Sequence, residues 1–183
     1  GNEAQGSLES EGGGALYIRG EVTSNTLIKK NRIDGNRARI GSGIFIYALN
    51  NSITRVENNN LINNTLSQSG RDGGAIRIWH VGDNRSRVQI VGNTIQGTTG
   101  SHSGGALNIT GYWSSITEVI NNVISHNSAL QGGALYGYIS GSSSTHIINN
   151  TYYNNKSLSA NPNLPVMHSV LLNYVNGSSV MNM

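Results

Sequence analysis

Ionisable side chains gather between positions 71 and 87, where Arg71, Asp72, Arg77, His80, Asp83, Arg85 and Arg87 stand in one stretch. Two chemistries could use such a set. Proton abstraction by a lyase needs a basic side chain beside carboxylates clustered on calcium. Glycosidic hydrolysis needs two or three carboxylates facing one another. The spacing favours neither. Asp72 and Asp83 lie at opposite ends of the stretch, and Glu57 and Glu118 read as isolated outward residues. The histidines His80, His102, His126, His146 and His168 share no column and no partner. The expectation is a solvated salt-bridge patch, with no catalytic site, no metal site and no cofactor.

Aromatic residues make the stronger pattern. Tyr17, Phe45, Arg77, Asn108 and Tyr136 form one column, and Arg19, Tyr47, Trp79, Thr110 and Tyr138 form a second. Six of the eleven aromatic residues fall in these two columns, with Tyr112 and Trp113 just beyond, so this face is the candidate for binding or assembly. Exposed aromatic side chains on a rigid sheet can stack on sugar rings or anchor a protein partner. The competing explanation is that Tyr and Phe favour strands and stack on one another.

The columns follow from a repeat. Glycine anchors stand at Gly13, Gly41, Gly73, Gly104 and Gly132, separated by 28, 32, 31 and 28 residues. Asparagines follow at Asn31, Asn59, Asn93, Asn122 and Asn150, at 18, 18, 20, 18 and 18 residues from their glycines. The distance from each asparagine to the next glycine varies more, at 10, 14, 11 and 10 residues. A constant segment alternating with a variable one is what a solenoid gives when strands stack and one corner carries the loops. After each glycine, apolar residues alternate with outward ones, as in Leu16/Ile18, Ile44/Ile46, Ile76/Ile78 and Leu107/Ile109. This period of two marks strands with one buried face.

Further apolar positions flank the asparagines: Ile28, Val56, Ile90, Val119 and Ile147 before them, and Ile33, Leu61, Ile95, Ile124 and Tyr152 after. Three short strands per turn without a helical period predict an all-β, right-handed single-stranded parallel β-helix of about six coils. The asparagines suit corners, where the backbone passes through a left-handed conformation that Asn tolerates and stacked amides can bond between coils. A second set follows five residues on, at Asn36, Asn64, Asn127 and Asn155, with Thr98 in the third repeat. A threonine column at Thr26, Thr54, Thr117 and Thr145, interrupted by Val88, has inward parity and predicts a buried stack, not an ice-binding surface. Asn-x-Ser/Thr sequons at Asn50, Asn63, Asn84, Asn108, Asn149, Asn155 and Asn176 are candidate glycosylation sites.

Composition narrows the class. Charged residues are 11% of the 183-residue chain, there is no cysteine, and the net charge is +3. A charge so small and dispersed makes no nucleic-acid surface. The lack of cysteine excludes a disulfide scaffold and a thiolate metal site. No membrane-inserting run is present. Residues 1–12 read as a partial preceding coil or N-terminal arm, 13–166 as the repeats and 167–183 as a partial C-terminal coil. Neither end reads as a cap, which fits a segment of a longer array or a subunit that self-associates head to tail.

Gly-Gly-Ala-Leu at Gly104 and Gly132, Gly-Gly-Ala-Ile at Gly73, and Ile33–Asn36, Leu61–Asn64, Ile124–Asn127 and Tyr152–Asn155 resemble the GGA[ILV] and FxxN repeats of chlamydial polymorphic membrane proteins. The chain departs from them in using Ile, Leu or Tyr where that family favours Phe. The resemblance implies a right-handed β-helical passenger at a cell surface, acting as an adhesin on proteins or glycans. The alternative is a carbohydrate-active β-helix enzyme, a polysaccharide lyase or hydrolase, because that fold carries many such activities.

Overall fold

In a computed structural model, which describes residues 2–4, 12–67, 73–158, 170–175 and 180–182, the chain winds into a parallel β-solenoid. The first sheet stacks six strands: Leu16–Gly20, Ile44–Leu49, Ile76–Gly82, Leu107–Trp113, Leu135–Ser140 and Val170–Val175. The second also stacks six: Asn25–Lys29, Ile53–Glu57, Arg87–Val91, Ile116–Ile120, Ser144–Ile148 and Val180–Asn182. The third holds five three-residue strands: Arg32–Asp34, Asn60–Ile62, Thr94–Gln96, Val123–Ser125 and Thr151–Tyr153.

The described residues also form a fourth set of short strands that the apolar pattern did not announce. These form two three-stranded groups. One comprises Glu3–Ala4, Arg37–Ala38 and Thr65–Leu66, and the other Ser101–Ser103, Ser128–Gln131 and Lys156–Ser157. They escape a sequence reading because two to four residues hold at most two inward side chains. Glu3 pairs with Arg37, so the first described residues stack on the coil that follows them.

Inward side chains stack in files along the axis. Ile46, Ile78 and Ile109 are in register in the first sheet. Val56, Ile90 and Val119 are in register in the second, and Leu61, Ile95 and Ile124 in the third. All nine are fully buried and belong to one core cluster. Each such side chain contributes about 1.5–3 kcal/mol relative to exposure. The threonine file is also inward, with Thr54, Thr117 and Thr145 buried, as its parity required.

Two sharp corners flank each short third strand, and both are built alike. The residue in the left-handed conformation is the one before each ladder asparagine, not the asparagine itself. At the first corner these are Lys30, Asn58, Gly92, Asn121 and Asn149, with φ between 52° and 64°; at the second they are Gly35, Asn63, Gly97, His126 and Asn154. The asparagine that follows turns inward and is freed to bridge coils. Asn93 Oδ1 accepts the backbone N–H of Asn59 at 2.9 Å and its Nδ2 at 3.0 Å, while Asn93 Nδ2 donates to the Val56 carbonyl at 2.8 Å. The same three bonds recur from Asn93 to Asn122 and from Asn122 to Asn150. The second ladder uses the same geometry between Asn36 and Asn64 and between Asn127 and Asn155.

The glycine anchors lie where the chain folds back over the first sheet before entering it. Gly132 has φ +58°, and a Cβ there would fall 2.3 Å from the Leu135 carbonyl oxygen.

The second ladder is interrupted at Thr98, whose hydroxyl is buried without a hydrogen-bond partner. Thr98→Asn would supply an acceptor for Asn64 and a donor for the Leu61 carbonyl. It is expected to stabilise the chain by about 1 kcal/mol, read by urea denaturation. Asn93→Ala strips partners from Asn59 and Val56 inside the fold, and should cost about 2–4 kcal/mol in the same assay.

Candidate functional site

The two columns read from the sequence are in register. Tyr17, Phe45, Arg77, Asn108 and Tyr136 align across five strands, and so do Arg19, Tyr47, Trp79, Thr110 and Tyr138. Their environments differ. In the first column Phe45, Arg77 and Asn108 are buried, and only Tyr17 is exposed, with Tyr136 half-buried. The cause is the returning anchor segment. Gly12 lies so close over Phe45 that a Cβ there would meet the ring at 2.6 Å, and Gly41 lies over Arg77. Outward parity therefore does not mean exposure in this column.

Arg77 is held beneath the surface. Its Nη1 donates to Asn108 Oδ1, to Thr110 Oγ1 at 2.8 Å and to the Ile78 carbonyl at 3.2 Å. Its guanidinium lies 5.5 Å from the centroid of the Trp79 ring. Arg19 sits in the same way over Tyr47, at 5.9 Å, and also pairs with Glu21 at 2.7 Å.

The second column is the open one. Tyr47, Trp79, Tyr112 and Tyr138 form a continuous half-exposed ladder across four coils, with ring centroids 6.3, 6.1 and 5.9 Å apart and adjacent rings tilted. Thr110 occupies the column on the fourth coil and would leave a gap. Tyr112, two residues on along the same strand, leans back over it and restores the file. Trp113, next along, is 65% exposed and takes φ +64°.

The charged stretch does not converge. His80 points inward and is fully buried, Arg77 points outward under the ladder, Asp83 and Arg85 occupy an exposed turn, and Arg87 lies on the second sheet. The expected solvated patch is therefore split between both faces of one strand and a second sheet, because neighbouring strand residues alternate sides. Arg71, Asp72 and His168 lie outside the described residues.

Glu118 is not isolated. Arg55 donates to Gln89 Oε1 at 2.7 Å, Gln89 donates to Glu118 Oε2 at 2.6 Å, and Arg87 stands 3.8 Å from the same carboxylate. Glu57 pairs with Lys29 at 3.3 Å, and Asp34 with Arg32 at 2.6 Å. Among the described residues, no three His, Asp or Glu side chains come together as a metal site. The sequon at Asn108 is buried, whereas Asn50, Asn63, Asn84 and Asn149 are exposed.

Two histidines have partners that spacing alone did not show. His126 packs edge-on to Tyr153 at 5.3 Å. His80 lies in the core file between Ala48 and Gly111, where Nε2 meets Ser86 Oγ at 2.7 Å and Nδ1 meets Thr117 Oγ1 at 3.1 Å. The small residues above and below make the room for it. Hydroxyls rotate to serve either tautomer, but they supply no charge to offset an imidazolium, and burial lowers its pKa from 6.5 to about 4.

The sequence matches no family model, and neither the curated proteins nor the solved structures compared with it are similar.

A lowered histidine pKa fixes the sign of the pH dependence. The folded state resists protonation that the unfolded chain accepts, so this contribution is fully present above pH 6.5 and is lost as the pH falls towards 4. The loss over that window is about 3 kcal/mol. His80→Ala should lower stability at pH 7 and flatten the curve between these limits, as read by denaturation at a series of pH values.

Proposed function

We propose that this chain is a non-catalytic, extracellular β-solenoid that binds a protein or glycan partner at a cell surface, as part of an adhesin. The observation that carries the reading is the ladder of Tyr47, Trp79, Tyr112 and Tyr138, half-exposed and in file on a rigid sheet. Mutual stacking alone would favour strand aromatics, but it does not account for the continuity of the file. Where the column residue is Thr110, a ring from the next outward position fills the gap. Arg19 extends the file by one coil with a planar cation on Tyr47.

Such a surface suits recognition for a physical reason. The rings are fixed by their neighbours and by buried Arg77, so little side-chain entropy remains to be lost when a partner docks. Tyrosine and tryptophan offer apolar area together with a polar tip. The similarity of the GGA and Ile-x-x-Asn signatures to polymorphic membrane protein passengers supports the same assignment to a surface adhesin.

The test is binding of the purified chain to cultured cells and to immobilised matrix proteins and glycans, compared with a Tyr47→Ser/Tyr112→Ser variant. Removing two rungs should reduce binding at least tenfold. It should cost only about 1–3 kcal/mol of stability, because these rings lie outside the core. Binding unchanged in a folded variant would overturn the reading.

A further inference from the structure

The corner after the first sheet turns through a left-handed residue on several coils. Asn50 and Gly141 hold that conformation on the second and fifth coils, at φ 49° and 71°, and both residue types accept it with little strain. On the first coil the β-branched Thr23 turns the corner, at φ 62°. On the fourth coil the residue is Trp113, at φ 64°. A bulky side chain there is strained by the contact between its Cβ and the backbone. Nothing in the core recovers this, since Trp113 is 65% exposed. A strained backbone that presents an exposed indole points to contact with something outside the chain.

The surroundings indicate what that is. Trp113 aligns with Gly82 of the third coil, and Ser114 N–H donates to the Gly82 carbonyl at 3.0 Å. The turn that follows Gly82 exposes Asp83, Asn84 and Arg85. That turn is braced internally, because Arg85 N–H donates to Asp83 Oδ1 at 2.9 Å and Ser86 N–H donates to the Asp83 carbonyl at 3.0 Å. On the other side the fifth-coil corner exposes Ser142 next to Gly141, which packs on the Trp113 backbone.

The exposed rim on the two neighbouring corners is thus a carboxylate, an amide, a guanidinium and a hydroxyl, with opposite charges side by side and no aliphatic side chain. A protein hot spot surrounds its aromatic anchor with groups that exclude water. A lipid surface calls for apolar side chains or a run of cations. An exposed indole between two corners that expose donors and acceptors of balanced charge complements a ligand with an apolar ring face and many hydroxyls.

We infer that Trp113 is the platform of a carbohydrate-binding site for neutral oligosaccharides, in which the indole stacks on a sugar ring and Asp83, Asn84, Arg85 and Ser142 bond to its hydroxyls. The inference rests on the proposed recognition role of the first sheet and extends it by ligand class and position.

The experiment uses the whole chain on an array of neutral oligosaccharides, followed by titration with hexamers of glucose and of N-acetylglucosamine while tryptophan emission is recorded. The wild type should bind saturably with a blue shift of emission. Trp113→Asn, which places an Asn at the corner as Asn50 does, should weaken binding at least tenfold while leaving the unfolding midpoint equal or higher. An array without signal, or affinity unchanged in Trp113→Asn, overturns the inference. If cell binding then persists and is lost in the Tyr47→Ser/Tyr112→Ser variant, the ladder reading stands and only the sugar site falls. If oligosaccharide binding depends on Trp113 but the two tyrosines are dispensable for cell binding, the sugar site stands and the ladder reading falls.

Discussion

The structure depends on one requirement: at each sharp corner the backbone groups that leave one sheet and enter the next must find partners on the adjacent coil. Buried amides without partners cost as much as a lost hydrogen bond, and two such corners occur on each coil. The stacked asparagines meet the requirement three bonds at a time, as Asn93 does with Asn59 and Val56. They also set register. A slip of one residue would turn every inward side chain outward, and a three-residue strand such as Thr94–Gln96 has too few contacts to prevent that alone. Asn93 on one side and Thr98 on the other, each bonded to the next coil, hold it in place.

Register turns the outer surface into files. Once coils stack one above another, a residue type that recurs with the repeat becomes a line along the axis. The aromatic ladder is such a line, and so is the polar run Arg55–Gln89–Glu118 on the second sheet. Files can absorb substitutions, as Tyr112 does for Thr110, because outward neighbours two residues apart lie on the same face. They also confine strain: Trp113 imposes a cost at its own corner without disturbing the strand pairing on either side of it.

The interior is not uniformly apolar. Near the corner between the first and second sheets, Ser52, Thr54, Ser115 and Thr145 are buried with hydroxyls that have no hydrogen-bond partner. Small side chains fit the tight corner. Ser143 donates to the Ser140 carbonyl, and at His80, Ser86 and Thr117 an imidazole and two hydroxyls satisfy one another. That arrangement is stable only while the imidazole is neutral, so the part of the core that looks most like a reactive cluster is better understood as a sealed one.

The sequence by itself determined the solenoid, the inward files, the threonine stack and the alignment of both outer columns. All of these follow from two periods, the alternation along a strand and the recurrence of glycine and asparagine, and periodicity is a local property that survives without coordinates. The tertiary structure decided what covers what. Phe45 and Arg77 have outward parity yet are buried, because the glycine segment of the preceding turn lies over them, and Asn108 is covered by Ser103 and Gly104, which lead into its own strand. His80 gained its partners from Ser86 and Thr117 at separations that no period encodes, whereas Gln89 and Glu118 stand in register one coil apart, where the repeat places them side by side. The left-handed residue before each ladder asparagine is a matter of backbone geometry: residue types such as Lys30 and His126 give no sign of that conformation until the stacked coils impose it.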